Sequence, residues 1–467
     1  MRSQRPDLRV GAAALLFTVT VAGLVALTLN PLYSALVVDL DVYRMGGRAV
    51  LAGQDLYEPT PTFAELLRDK GAAPLPLDQL PAVTRPVLDR LLRLRVPFTY
   101  PPFAALLFAP LGLVNLVVAQ LVMVLASLFA LLGGVRLTLR QLVPGWSAQA
   151  GWAAALTLTP ALLLLEPVRS TVRLGQVNLV LLAMVALDVL QLVPPRWRGV
   201  LTGLAAGIKV TPALFVAHYL LARRWRDAAV AAGTGLATVA VGALVAPGPT
   251  LAYFTGHLFR TERVGDASLL ENQSLYGGWV RWLGTGPTST GLWLGSAVLV
   301  AGVGLWAARR ADLAGESLLA LGLVGAVMLL VSPISWGHHW VWLLPAVAVL
   351  VLVPPERAGR GWRVRPVLAA LILVPLVVGC ANLVPDAPFL QPYRAHGLTV
   401  LTSSALALAT LVLLGYAAVR AHRTAFDQRA ASSAPLPRRW LYGGVSPTPV
   451  AVMRGVASRT SDHPTTS

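Results

Sequence analysis

Apolar runs recur along nearly the whole chain, and each approaches the ~20 residues a helix needs to cross a bilayer. No other feature constrains the fold as strongly. The first run, "VGAAALLFTVTVAGLVALTL", follows directly behind the basic "MRSQRPDLR". Lipid offers no partner for backbone N–H and C=O groups, so such runs must close their hydrogen bonds internally as helices. Only 13% of the 467 residues are charged, about half the share of a soluble domain. The expected fold is all-α, a polytopic transmembrane bundle with about ten spans of that length.

After the first span, further spans are expected near 103–135 (with a break or tilt allowed at its start), 148–165, 176–193, 228–246, 288–308, 316–332, 338–354, 366–383 and 397–419. Residues 1–9 read as a cytoplasmic N-terminus, since no small-residue cleavage site follows the first run. Residues 10–419 read as the membrane domain, with a large outer loop at 31–101. Residues 420–467, rich in Ser, Thr, Pro and Arg, read as a basic, disordered cytoplasmic tail. This layout puts Arg136, Arg140, Arg196, Arg198, Arg309, Arg310, Arg357, Arg360 and Arg363 on one side, as the positive-inside rule requires. In the outer loop, "TRPVLDRLLRLRV" sets leucines against arginines at helical spacing, the pattern of a helix lying along the interface.

A net charge of +17 raises nucleic acid as a partner. The charges lie in short connections and in the tail, however, where contact with anionic lipid accounts for them. The single cysteine, Cys380, excludes an intrachain disulfide and any Cys-based metal site. It reads as a small buried hydrophobe. No P-loop, dinucleotide glycine fingerprint or nucleophile elbow is present, so soluble nucleotide chemistry has no support.

One segment breaks the alternation of sides. "PPRWRGVLTGLAAGIKVTPALFVAHYLLARRWRD" carries arginines at both ends but only one span's length of apolar residues. A hairpin turning near Lys209 and Pro212 returns both clusters to the cytoplasm. Each arm is then ~15 Å of helix, and Lys209 sits deep in the membrane, tolerable only beside a polar cavity or an anion. Lysine is otherwise nearly absent, the only other being Lys70. Its ammonium is a compact point charge suited to phosphate; a lysine snorkelling from a helix end is the alternative.

Other polar motifs then gather at the outer ends of spans. Asp39 and Asp41 follow the first span; a carboxylate there suits a general base, and helix capping is the ordinary alternative. Two residues apart on a helix means about 200° of rotation, so only one can face a given cavity. Gln176, Asn178, Asn272 and Gln273 offer amides that suit sugar hydroxyls or cap helices. Tyr43, Tyr100, Trp279 and Trp336 suit sugar rings or an interfacial aromatic belt. Arg169 and Arg173 add positive charge before "GQVN". His338 and His339, in "SPISWGHHW", project about 100° apart on a helix, which disfavours one shared metal. Imidazole donation to phosphate oxygen is the better reading.

Taken together, "DLDVYRMGGRAVLAGQDLYE", "FTYPPFAALLFAPL", "GQVNLVLLAMVALDV", "GLAAGIKVTPALF", "ENQSLYGGWVRWL" and "SPISWGHHWVWLLP" resemble, in content and order, the actinobacterial polyprenyl-phosphate-mannose-dependent α-(1,2)-mannosyltransferases. These are integral-membrane glycosyltransferases of the GT-C fold that act on phosphatidylinositol mannosides, lipomannan and related glycans. The likeness runs from about residue 35 to 350. It implies a catalytic aspartate just after the first span. Asp39, the first residue of "DLxVY", matches it best, and Asp41 is an extra acid at the variable position. It also implies a substrate cavity holding Lys209, His338 and His339 near the lipid phosphate, with Arg169 and Arg173 as further candidates there. Tyr43, Tyr100, Gln176, Asn178, Asn272, Gln273, Ser335 and Trp336 are the candidates for sugar or acceptor contact.

The expected partners are a polyprenyl-phosphate-sugar donor, a glycolipid or lipoglycan acceptor and membrane lipid. No cofactor or metal is expected, and the site is expected to face outside the cell membrane. A flippase or transporter of a lipid-linked sugar is the competing expectation. It would need spans, a deep cation and amides, but no base poised at one face.

Overall fold

The computed structural model describes residues 5–30, 37–58, 60–69, 85–353, 363–384 and 391–433. Lys70, Arg357, Arg360, part of the 62–96 segment and the tail beyond residue 433 lie outside the described residues. Chain contacts separate Met1–Ala421 from His422–Ser467. Within the second unit, residues 422–433 carry the end of helix Ala405–Ser433.

The described residues are helical, with one isolated antiparallel bridge between Thr62 and Arg95. Five helices are long and apolar enough to cross a membrane: Arg9–Thr28, Leu116–Leu142, Trp225–Val245, Pro287–Leu313 and Ala405–Arg423. A sixth candidate is the pair Ala148–Leu162 and Glu166–Leu174, bent by 79°. Proline explains the bend, with Pro160 near the end of the first helix and Pro167 in the first turn of the second. The run expected at 103–135 is split. Helix Pro102–Leu113 ends, and the Asn115 side chain accepts from Val118 N at 2.9 Å to start Leu116–Leu142. Six more apolar helices have 10–17 residues. At ~1.5 Å per residue a 12-residue helix reaches only ~18 Å, short of a ~30 Å hydrocarbon core. The remaining expected spans are therefore these shorter pieces, and length alone carries none of them across.

Helix Ser317–Val331 is the centre of the bundle, with every residue from Leu318 to Leu330 buried. A helix apolar all round has no face for water and takes the middle. Its end delivers the chain into the Ser332–Trp336 loop and the 3₁₀ turn Gly337–Leu343, and helix Leu344–Leu352 then leads away.

The chain turns back at Lys209. Helix Val200–Ile208 stops where Lys209 takes extended backbone (φ −144°, ψ 124°), a turn at Thr211–Ala213 follows, and Leu214–Leu221 returns. The Thr202 and Tyr219 hydroxyls lie 2.9 Å apart, so the arms run side by side and antiparallel. Their base is tied to neighbouring helices. Asp188 Oδ2 accepts from Thr202 N (2.7 Å) and Oγ1 (3.0 Å). The Arg224 guanidinium donates to the carbonyls of Asp188 and Val189 and pairs with Asp227 at 2.8 Å. Asp312 sits 3.9 Å from Arg224 and 3.5 Å from the buried His218.

Candidate functional site

Asp39 and Asp41 occupy the first turn of helix Val38–Leu51, which is not among the helices apolar enough to cross a membrane. Asp41 is buried at 5% exposure, whereas Asp39 is half-buried. Tyr43 lies one turn after Asp39 and so shares its face. Opposite them is Gln176, placed by the residue before it. Gly175 ends helix Glu166–Leu174 at φ 69°, and a Cβ there would lie 2.8 Å from the Leu40 Cβ. Only glycine accommodates both the left-handed turn and that approach.

The Gln176 amide organises the floor of the site. Its Oε1 accepts from the Tyr43 hydroxyl at 2.7 Å, and its Nε2 donates to the Tyr100 hydroxyl at 3.3 Å. It also hydrogen-bonds the Asp39 carboxylate. Tyr43 stacks on Phe108, ring centres 4.1 Å apart, and its hydroxyl lies 3.2 Å from that of Tyr100. Burial pushes the Asp39 carboxyl up to about 6, with the Gln176 hydrogen bond and the Lys209 charge acting in the opposite sense. An acid at that value is ionised at neutral pH yet basic enough to take a proton.

Lys209, at the hairpin tip, donates to Asn178 Oδ1 at 3.1 Å and lies 2.9 Å from His339 Nε2. Its ammonium is 5.8 Å from the Tyr100 ring centre. Among the described residues no carboxylate stands within ion-pair distance of it. A small polar cavity is lined by Asn178, Lys209, Thr211, Ser335 and His339. The adjacent His338 is buried, its ring edge-on to His339 at 4.5 Å. Its carbonyl accepts from Thr171 Oγ1 and Asn178 Nδ2, each at 3.2 Å. Its Nε2 has no hydrogen-bond partner among the described residues. Gly337 allows this loop to pass Glu166, because a Cβ there would meet Glu166 Oε2 at 2.6 Å.

Asp39, Tyr43, Tyr100, Gln176, Asn178, Lys209 and His339 thus form one connected group, with His338 and Ser335 at its edge. The other candidates lie elsewhere. Asn272 is fully buried, its Oδ1 taken by the backbone N–H groups of Ser274 and Ser335 and its Nδ2 by the carbonyls of Ala267 and Pro333. Gln273 Nε2 is occupied by the Leu270 and Ser403 carbonyls. The Asn272 amide thus holds the loop that carries the histidines, the Gln273 amide ties its own loop to Ser403, and Ser335 Oγ bonds the Leu329 carbonyl. The Trp336 ring packs over Gly265, and Trp279 donates to Ser296. Arg169 is exposed and donates to the Leu164 carbonyl. Arg173 is exposed but close enough to act electrostatically on His338.

Sequence reasoning passed over Thr171, Tyr57 and Arg281. Arg281 is fully buried and donates to the Leu269 and Asn272 carbonyls and to Ser404 Oγ, so it braces the segment that carries Asn272. An arginine inside "LYGGWVRWL" was the available signal, since ionisable residues in apolar helices need a stated partner. Tyr57 donates to the Tyr100 carbonyl at 3.0 Å, a contact no spacing rule reveals.

An apolar groove of about 400 Å³ opens next to this group. It is lined by Pro101 and Val210, the residues directly after Tyr100 and Lys209, by Phe103, and by the small residues Ala231, Gly235 and Gly242 of helix Trp225–Val245.

The model of glycosyltransferase family 87 matches residues 98–333. A polyprenol-phosphate-mannose-dependent alpha-(1-2)-phosphatidylinositol mannoside mannosyltransferase of Mycobacterium tuberculosis is 33% identical over 350 residues, 73% of this chain and 74% of that protein. Its namesake in Mycolicibacterium smegmatis is 35% identical over 68% of this chain and 71% of its own length. A pentamannoside mannosyltransferase of Mycobacterium tuberculosis, also polyprenol-phosphate-mannose-dependent, is 40% identical over 57% of this chain and 62% of its own. No solved structure matches the chain. With the family pattern spanning half of the residues and relatives alike over more than two thirds, the chain belongs to glycosyltransferase family 87 and is a multi-pass membrane enzyme.

Proposed function

We propose that this enzyme transfers a mannosyl residue from a polyprenyl-phosphate-mannose donor to a phosphatidylinositol mannoside-type glycolipid, forming an α-(1,2) linkage outside the cytoplasmic membrane. The observation that carries the reading is the pairing of opposite tasks in one group. Asp39 is a carboxylate held by Gln176 with a raised proton affinity, and Lys209 is an ammonium with no carboxylate in ion-pair range among the described residues. The relatives' names supply the donor and acceptor class.

The chemistry is an inverting displacement. The Asp39 carboxylate takes the proton of an acceptor hydroxyl as that oxygen bonds the anomeric carbon. The bond from that carbon to the phosphate oxygen breaks on the opposite face, and the electron pair leaves with polyprenyl phosphate. Inversion at a β-linked donor gives the α product. The departing phosphate gains one negative charge, and an ammonium fixed by Asn178 and His339 is already aimed where that charge develops. His338 Nε2 is available as a further contact. The apolar groove, lined by Pro101 and Val210 next in sequence to Tyr100 and Lys209, suits the isoprenoid chain, whose methyl branches fit against glycine and alanine. No metal or cofactor has a role in this scheme, because a monophosphate leaves without the divalent ion a diphosphate needs.

Transfer of labelled mannose from polyprenyl-phosphate-mannose in membranes tests the proposal. Asp39→Asn is expected to abolish transfer while leaving folding and donor binding intact, and activity retained in that variant sinks the mechanism. Chelator-treated membranes are expected to keep full activity.

A further inference from the structure

Arg263 is an unexplained group joined to Tyr100 through Tyr57. The Tyr57 ring is the link. Its hydroxyl donates to the Tyr100 carbonyl, and the ring packs between Phe98 and Tyr253, with centres at 6.1 and 5.8 Å. The Arg263 guanidinium lies 5.2 Å from the Tyr57 ring centre, and the His257 imidazole 4.5 Å. Neither side chain makes a hydrogen bond or ion pair to the described residues, although Arg263 Nη2 and His257 Nδ1 are buried atoms. A buried donor left without a partner costs about 1–3 kcal/mol, more when charged. Such groups are retained where something else meets them.

The surrounding carboxylates do not fill that role. Asp55 is engaged by the Tyr57 and Glu58 backbone N–H groups. Glu58 is exposed and acts on Arg263 only at a distance. The cluster sits on the chain between helix Pro247–Thr255 and Asn272, apart from the groove and from the Lys209 cavity. Its chemistry is a planar five-donor fork and a neutral-capable imidazole, both seated on the buried Tyr57 ring. That set recognises a phosphodiester next to sugar rings.

We infer that Arg263 and His257, seated on Tyr57, bind the phosphodiester of the acceptor's lipid headgroup and so select an anionic glycolipid over a neutral mannoside. This rests on the function proposed above. It adds that donor and acceptor phosphates are received by separate cations, Lys209 and Arg263, linked through Tyr100 and Tyr57.

The test uses the full-length enzyme in detergent micelles, with a phosphatidylinositol mannoside and a neutral alkyl α-mannoside as alternative acceptors. Arg263→Ala is expected to raise KM for the phospholipid acceptor about tenfold, the size of a lost charge-assisted hydrogen bond. It should leave kcat, the donor KM and transfer to the neutral mannoside unchanged. Arg263→Met, which keeps the aliphatic contact with Tyr57, should show the same selectivity and guards against a folding defect. Equal losses on both acceptors, or no change on the phospholipid, overturn the inference. Short-chain phosphatidylinositol should compete with the acceptor in wild type and about tenfold less well in Arg263→Ala. Equal competition by inorganic phosphate at the same concentration overturns the headgroup assignment in favour of a free-phosphate site. If the wild type transfers mannose to neither acceptor, the function itself is wrong. If it serves both and Arg263→Ala does not distinguish them, only this inference falls.

Discussion

Two buried polar clusters lie at opposite ends of the Lys209 hairpin, and they are built differently. At the base, Arg224 meets Asp227 and Asp312 at ion-pair distance, His218 faces Asp312, and Asp188 is hydrogen-bonded by Thr202. At the tip, Lys209 meets an amide oxygen and an imidazole, with no carboxylate in ion-pair range among the described residues, and His338 Nε2 has no partner. The first arrangement pairs its charges and ties helices together, even though His218 Nδ1 and Asp188 Oδ1 have no hydrogen-bond partner among the described residues. The second is open, with its positive charge available for something the protein does not supply. The difference teaches that burial of charge does not by itself mark a site in this chain; what sets Lys209 apart is a cation that borders a cavity with no carboxylate in ion-pair range among the described residues.

The comparison breaks most easily at Asp39. Asp39→Asn is expected to lower kcat by about 10²–10⁴, the usual worth of a general base, with no loss of thermal stability. The base of the hairpin should respond the other way. Arg224→Met removes one partner of a buried ion pair and is expected to cost about 3 kcal/mol of stability. A lowered melting temperature with near-normal turnover per folded molecule is the expected result; lost turnover at full stability would erase the distinction. Lys209→Ala is expected to reduce kcat by about 10² and to raise the donor KM, as for loss of one fixed charge at a developing anion. Unchanged donor affinity would remove the phosphate from Lys209.

Smaller effects sharpen the same contrast. The Asp39 carboxyl is raised to about 6, and a base must be ionised to act. Activity limited by chemistry should therefore be flat above that value. Below it, activity should fall about tenfold per pH unit, and Asp39→Asn should lack this limb in its residual rate. Tyr43→Phe removes the donor to Gln176 Oε1 and is expected to cost about 1 kcal/mol, a few-fold in kcat. No change would mean that Gln176 holds Asp39 unaided.

Much of the site was legible because its chemistry conflicts with its surroundings. A lone lysine in an apolar segment, acids at a span's end and two histidines between oily runs all stand out against lipid. The rotation argument for Asp39 and Asp41 also carries through, with Asp41 buried and Asp39 turned to Gln176 and Lys209. The amides were harder to read. Gln176 and Asn178 reach the site, whereas Asn272 and Gln273 bond backbone carbonyls away from it, and an amide looks the same in sequence whichever it does. Span lengths were blurred for a related reason. Hydropathy registers apolar residues but not the proline bend after Leu162 or the cap at Asn115.

The sequence by itself determined that this chain is helical and membrane-embedded and that a few polar residues within it require a purpose. Both follow from transfer free energies, which are properties of composition and spacing. Only the tertiary structure decided which of those residues meet. Asp39, Gln176, Lys209 and His339 come from four separate segments, and hydrogen bonding acts over about 3 Å, a distance that no linear spacing specifies.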